Sequence, residues 1–594
     1  MTERKWQNLV QMFLEQAESY GKDPFLWSKP ADKYQPISWV EARDQVARLA
    51  FALKARGVEA GDRVVILSEN RPEWCLSDLA IMSLGAISVP AYTTNTTEDH
   101  LHILENSGAK GAIVSTRSIA VRFLPAAHRL DGLRFVIAIE DPGIAQELNV
   151  EITLWRDALE AAEPDTAILR ESAQRIEAKD TACLIYTSGT GGAPKGVMVS
   201  HGSILHNCDG AHDVVLELGL GRERFLSFLP LSHAYEHTGG QFLPIFMGGE
   251  IYYAESLDKL GKNFTEARPT IMTVVPRLFE MFQTRISRAM EEQGGTKARL
   301  FERTIELGRK AFLDPSSLTI RERVENTALN FLVRRKVRAR FGGKMKALVS
   351  GGAPLHPEVG LFFAALGLRL LQGYGQTEAG PIISVNRPSR IRMDTVGPPM
   401  KGVQVRIAED GEILVRGKLV MNGYWKDQQA TDAVLKDGWL HTGDIGILDE
   451  KGHLKITDRK KDILINDKGD NVSPQRIEGF LTLEPEIAQA MVYGDRRPHL
   501  VGLIVPDADW LKSWAEENGK SGLLSVLADD EDLHRELDAA VSRVNGAMSN
   551  VERVRRFAVA PEPFAIENGQ LTPTMKIRRH VISSEYRSVL DSLY

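Results

Sequence analysis

Lys195 stands in the stretch YTSGTGGAPKGVMVSHGS (186–203), behind a run of glycines and small hydroxylated residues. Such a run lets the backbone amides wrap phosphate oxygens, and the lysine adds a full positive charge. The pattern is not a Walker loop, which opens a helix and places Ser or Thr after its lysine to hold Mg²⁺. Here Gly196 follows Lys195, and the apolar runs ACLIY (182–186) and VMVS (197–200) predict a strand on either side. A loop between strands disfavours an ordinary NTPase. Alone, it is equally consistent with a plain turn.

Four further stretches carry matching chemistry. LLQGYGQTEAGP (370–381) leaves an apolar run, turns on glycines and presents Tyr374, Gln376, Thr377 and Glu378. An aromatic ring can sandwich a purine, and a carboxylate beside phosphates suits Mg²⁺, a hard cation that prefers oxygen ligands. The plainer reading makes Glu378 a helix cap. GWLHTGDIG (438–446) offers Asp444, which could accept hydrogen bonds from two ribose hydroxyls; an Asp at a tight turn looks the same. TDRKKDILINDKGDNVSPQRIE (457–478) begins with four consecutive charges, Asp458 to Lys461, where the composition shifts. Most such runs are solvated surface, but one at a domain boundary can be a hinge. Last, Lys576 in NGQLTPTMKIRRH (568–580) lies beyond a Gly and a Pro, displayed on a loop. It matters only if a small C-terminal domain folds over the rest.

The elements that would position these residues alternate. VEARDQVARLAFALKARG (40–57) has helical periodicity, RVVILSEN (63–70) reads as a strand, and PEWCLSDLAIMSLGA (72–86) as a helix opening on proline. Continued alternation through FVIAIE (135–140) predicts an α/β fold with a largely parallel sheet, helices on both faces, and ligands at the carboxyl ends of the strands. Near residue 395 the texture changes. VQVRIAEDGEILVRG (403–417) and GILDEKGHLKIT (446–457) read as hairpins turning on Asp410-Gly411 and Lys451-Gly452. After about residue 460 a shorter α/β pattern follows, with DILIN, HLVGLIVPD and RRFAVAPE as strands. The expected division is a large domain over 1–458 and a small one over 459–594.

The five stretches, in this order, resemble an AMP-forming acyl-CoA synthetase of the adenylate-forming superfamily, over about residues 25 to 585. YTSGTGGAPKG resembles its phosphate loop, YGQTE its adenine and Mg²⁺ segment, TGD its ribose segment, DRKKD its hinge, and LTPTMKIRR the segment of its catalytic lysine. PLSHAYEHTGG (230–240), SGGAPL (350–355) and the helical region over 283–345 are similar to the long-chain fatty acyl branch. The resemblance implies a large N-terminal domain with doubly wound sheets and a β-rich part, plus a mobile C-terminal lid. It also implies roles. Thr187, Ser188, Gly189, Thr190, Gly191 and Lys195 would hold the β- and γ-phosphates, and Thr187 and Glu378 the Mg²⁺. Gly352, Gln372, Gly373 and Tyr374 would line the adenine pocket, with Thr377 at the α-phosphate and Asp444 and Arg459 on the ribose. Lys576 would offset charge as a fatty carboxylate attacks the α-phosphorus of ATP, an electrostatic contribution of the largest kind. The lid would then pivot about Lys461, and Gly469 would border a channel for the CoA thiol. His233 would gate the acyl carboxylate; as a lone histidine it reads equally as a core residue. One departure is Ile465, where some relatives carry a basic residue for ATP.

Bulk properties fit. At 594 residues, 43% hydrophobic and with net charge −6, the chain has ample core and no basic excess for nucleic acid. The three cysteines show no zinc or disulfide spacing, and no apolar run approaches a bilayer span, so a cytoplasmic protein is expected. The basic run LNFLVRRKVRARFGGKMK (329–346) reads as a solvated helix face or as a contact with anionic lipid. Similar enzymes are often dimers. Two rivals stand beside the fatty acyl-CoA ligase: a ligase that hands its acyl group to a carrier protein, and a non-catalytic acyl or nucleotide carrier. The intact set of Lys195, Glu378, Asp444 and Lys576 argues against the second.

Overall fold

The computed structural model describes residues 5–143, 149–187, 193–219, 221–467, 470–572 and 575–594. The first layered unit is a seven-stranded sheet. Its spatial order is Glu151–Leu154, Phe135–Ala138, Gly111–Val114, Arg63–Leu67, Ile87–Pro90, Thr181–Thr187 and Lys195–Ser200. All neighbours run parallel except the last pair, which is antiparallel. The two strands expected on either side of the glycine-rich stretch are therefore present and paired. The helices open on the caps their sequences offer: Ser38 with Glu41, and Thr96 with Asp99, each form reciprocal capping boxes.

An eight-stranded sheet forms the second unit, ordered Ile382–Val385, Leu370–Gly375, Ala347–Ser350, Ile271–Val274, Arg224–Ser227, Glu250–Tyr253, Pro24–Ser28 and Gln35–Ser38. Its inner strands are parallel and its two edge pairs antiparallel. Parallel strands buried on both faces need apolar residues throughout, and Ile271–Val274 is buried along its whole length. Helix Leu9–Tyr20 belongs to the shared core: Leu9, Val10, Met12, Phe13 and Leu14 are all buried. Buried Asn8 caps it and also donates to the carbonyls of Ala173 (2.7 Å) and Ile176 (2.9 Å). Helices Pro276–Gln293, Gly295–Leu313 and Ile320–Leu329 form an additional layer, and Gly295–Leu313 packs against Pro357–Ala365.

Both expected hairpins are present. Gln404–Ile407 pairs with Glu412–Arg416, and Trp439–Leu448 with Leu454–Arg459, in one antiparallel sheet. Beyond it lies a smaller sheet of Ile487–Tyr493, Leu500–Pro506 and Val554–Val559. Successive residues of Leu500–Pro506 face opposite ways. Leu500 and Ile504 join a core with helices Pro474–Leu481 and Glu531–Gly546, while Val501, Leu503 and Val505 join Phe564, Ile582 and Leu590. Cys75, Cys183 and Cys208 are buried free thiols. Among the described residues, no helix is long and apolar enough to cross a membrane.

Candidate active site

The carboxyl ends of Ile271–Val274, Ala347–Ser350 and Leu370–Gly375 open into one cleft of about 2220 Å³ that also reaches the hairpin sheet and the C-terminal segment. That volume exceeds the ~300–1,000 Å³ of an ordinary ligand pocket, and leaves room for a nucleotide together with a second substrate. Thr187, Lys195, His233, Gly352, Gln372, Gly373, Tyr374, Thr377, Glu378, Asp444, Arg459, Lys461 and Lys576 all line it. Ser188, Gly189, Thr190, Gly191 and Gly469 lie outside the described residues.

Local backbone constraints place the nucleotide-side groups. After Leu370–Gly375 the chain reverses so tightly that a Cβ on Gly375 would sit 1.8 Å from the Pro381 carbonyl oxygen. Gln376 N donates to that same oxygen (2.9 Å). Asn207, on helix His201–Leu216, accepts from Ile382 N (2.6 Å) and donates to Ala379 O (3.3 Å), fastening the turn from outside. Gly352 has φ +84°, a conformation a side chain resists. Gln372 spends its side-chain amide on Leu355 O (3.2 Å), so it shapes the loop and offers the cleft its backbone.

Four polar pairs organise the floor. Tyr374 O–H donates to Asp444 Oδ2 (2.6 Å), and Arg459 Nε donates to Asp444 Oδ1 (3.0 Å). Asp444 and Arg459 are direct cross-strand partners, so the ladder itself brings them together. Glu378 accepts from Tyr424 O–H through Oε1 (2.9 Å), and its other oxygen has no hydrogen bond among the described residues. Lys195 Nζ lies 3.3 Å from Asp427 Oδ2 and 5.3 Å from the Tyr424 ring centroid. Asp427 also caps helix Gln428–Val434 through Ala430 N (2.9 Å), which fixes it independently of the lysine. Thr187 is the ladder partner of Lys195, at the mouth of the same loop. Among the described residues no cluster of three or more His, Cys, Asp or Glu could cage a metal. One carboxylate with a free oxygen beside a lysine suits Mg²⁺ that arrives with substrate phosphates and keeps most of its ligands from them.

Lys576 enters from the C-terminal segment. Lys576 N donates to Thr572 Oγ1 (3.0 Å), and Thr572 N to Lys576 O (2.8 Å); Lys576 lines the cleft. Burial, and then the positive charge of Arg459, push its ammonium down to about 8, against the pull of Asp444 and Glu378. His233 is driven down to about 3 by burial and then by Lys576, so its ring is neutral. Its Nδ1 accepts from Tyr235 N (3.2 Å), which assigns the proton to Nε2 and makes the ring a donor.

Part of the lining is apolar: Val214 and Val215 of helix His201–Leu216, Leu218 just beyond it, and Ile271, Ala347 and Leu371 of the sheet, which pack in one cluster and form an apolar arm of the cleft. Tyr235 O–H donates to Val349 O (2.8 Å), and both residues line the cleft. Of the walls expected from sequence, the strand before Gly351 contributes Ala347 and Val349, but 241–249 contributes only Leu243. Sequence reasoning missed helix His201–Leu216 altogether, and with it Tyr424, Asp427 and His102. His102 Nε2 lies 2.8 Å from Pro194 O, beside Lys195.

The sequence profile described as "AMP-binding enzyme" matches residues 13–425, and that of the "AMP-binding enzyme C-terminal domain" matches 461–594. The chain belongs to the AMP-binding enzyme family. This AMP-binding enzyme is 36% identical to long-chain-fatty-acid–CoA ligase FadD15 of Mycobacterium bovis, over 94% of its own length and 92% of the relative's. It is 31% identical to long-chain-fatty-acid–CoA ligase 1 of Cavia porcellus, over 99% and 86% respectively. Its fold matches the adenylation domain of a carboxylate reductase from Mycobacterium chelonae, with TM-score 0.77 at 21% identity, covering 100% of this chain and 92% of that one. It also matches o-succinylbenzoate CoA synthetase of Bacillus subtilis in complex with its acyl-adenylate, with TM-score 0.66 at 20% identity and 97% of both chains.

Proposed function

We propose that this AMP-binding enzyme is a fatty acid–CoA ligase of the long-chain class. The observation that carries the reading is the junction at which Lys576 and His233 meet both the polar nucleotide floor and the mouth of the apolar arm. In the first half-reaction a fatty carboxylate oxygen attacks the α-phosphorus of ATP. An O–P bond forms, the bond to the β-phosphate oxygen breaks, and pyrophosphate leaves. Two anions must approach, and Lys576 supplies the compensating charge where it develops, in a site largely shielded from water. Lys195 exchanges Asp427 for phosphate. Asp444 is oriented by Tyr374 and Arg459 to accept from the ribose hydroxyls, and His233 donates from Nε2 towards the acyl carboxyl. Mg²⁺, bound through Glu378 and Thr187, would neutralise the phosphates.

In the second half-reaction the CoA sulfur attacks the acyl carbonyl carbon, the thiol proton passes to solvent, the bond between that carbon and the phosphate oxygen breaks, and AMP departs. Lys576 now occupies the junction, so the C-terminal segment must withdraw first. Lys461, exposed in the turn between Leu454–Arg459 and Leu464–Ile465, is the proposed pivot. From Gly351 to Ala347 the strand contributes about 13 Å of wall.

The test is AMP and pyrophosphate release with Mg-ATP across a series of carboxylates, with and without CoA. Release that peaks for long fatty acids and turns over only with CoA supports the ligase. Acyl-AMP without CoA turnover would favour a carrier-protein acceptor. No pyrophosphate with any carboxylate would overturn the reading.

A further inference from the structure

Helix Ile320–Leu329 continues through a widened turn, Asn330–Arg334, into Arg335–Arg340. Its inner side is satisfied. Leu329 packs with Leu307 and Leu318, and buried Arg334 donates to Ala365 O (2.6 Å), Asn326 O (2.9 Å) and Thr304 O (3.2 Å). Its outer side is not. Ile320 is 83% exposed, Val324 68%, Phe331 63% and Leu332 52%. Ile320, Val324 and Phe331 recur at the four- and seven-residue spacing that aligns side chains along one helix face.

The charges on this element segregate as well. Glu322 turns onto Lys310 of the neighbouring helix (2.9 and 3.0 Å), and Glu325 onto Arg303 (3.0 and 2.9 Å). That leaves Arg321, Arg335, Lys336, Arg340 and Lys344, all exposed and without an ion pair among the described residues. A cationic, apolar face on a chain of net charge −6 is a local feature, not a consequence of bulk composition.

We propose that this face docks on an anionic lipid bilayer, with Ile320, Val324, Phe331 and Leu332 entering the acyl boundary and the five cations facing the headgroups. Apolar side chains flanked by lysine and arginine are what an interfacial helix requires. A second copy of the chain would set cation against cation, and a nucleic acid would leave the apolar side chains without a partner.

The test uses the full chain, in co-sedimentation with vesicles of phosphatidylcholine alone or mixed with phosphatidylglycerol. Binding should be about ten-fold tighter to the anionic vesicles and should weaken with salt. The double variants Val324→Ser/Phe331→Ser and Arg335→Glu/Lys336→Glu should each lose most of it. Phe51→Ser, at an exposed apolar residue elsewhere, should bind like the wild type. In Phe331→Trp, brominated lipid should quench the new fluorescence. Activity on a short, water-soluble carboxylate should be unchanged in every variant, which separates lost docking from lost fold. Equal binding to both vesicle types, or patch variants that bind like the wild type, would overturn the proposal. A dimer dispersed by the same variants would overturn it too, by assigning the face to a second copy. The ligase reading does not depend on the outcome.

Discussion

The two sides of the cleft are built on different principles. On the polar side, three charged groups already have partners of defined geometry: Asp444 has Tyr374 and Arg459, Glu378 has Tyr424, and Lys195 has Asp427. On the acyl side, the walls of Val214, Val215, Leu218, Ile271, Ala347 and Leu371 offer only shape. Directional bonds discriminate by chemistry, because a missing partner leaves a buried polar group unpaired. An apolar wall discriminates weakly, by volume. The floor should therefore be most sensitive to loss of its charged groups, and the arm should be tunable.

The largest break in that contrast is expected from Lys576→Ala. It should slow acyl-adenylate formation by about 10²–10³-fold, while thioester formation from supplied acyl-AMP changes little; pyrophosphate release and thioester yield separate the two. Next, Asp444→Ala should raise the KM for ATP by at least about ten-fold, because the hydrogen bonds proposed between this carboxylate and the ribose would be charge-assisted. The KM for fatty acid should not move, and a thermal melt would show whether the fold survives. The pH profile sharpens the same side. Lys576 is charged below about 8, so kcat/KM for adenylation should fall about ten-fold per unit as pH rises above that value. Removing the opposing charge with Arg459→Ala should move this alkaline limb upwards.

On the acyl side, Ala347→Leu should cut activity on the longest acids by about ten-fold and spare short ones and the KM for ATP. Equal loss at every chain length would mean the arm does not hold the acyl chain. The smallest effect is expected of Tyr424→Phe. It removes one hydrogen bond from Glu378, worth about 1 kcal/mol, and should raise the Mg²⁺ requirement several-fold in a titration of pyrophosphate release.

The same contrast decides what could be read from the sequence. The alternating segments announced the α/β class, and Asp410-Gly411 announced its hairpin, because turn chemistry and periodicity are local. Lys195, Tyr374, Glu378 and Asp444 stood out because few residue types can do what phosphates, a purine and a ribose demand. Tyr424 and Asp427 did not, since their importance comes from partners distant in sequence. Helix His201–Leu216 was missed as a wall because any apolar residue of the right volume serves there. In the C-terminal part, Ile487–Tyr493 (IAQAMVY) was missed because Ala, Gln and Met favour helices. DILIN yielded only the two-residue strand Leu464–Ile465.

The pairing of Asp444 with Arg459 has a bearing on timing. Both residues precede Lys461, so a rotation that begins there moves Lys576 and leaves the ribose carboxylate with its arginine. An acyl-adenylate is a mixed anhydride, prone to hydrolysis when it escapes. With its nucleotide handle gripped by the stationary part, the intermediate need not be released and recaptured between the two half-reactions. In the proposed swing, the moving part would change the chemistry, and the part that stays would keep custody of the reactive product.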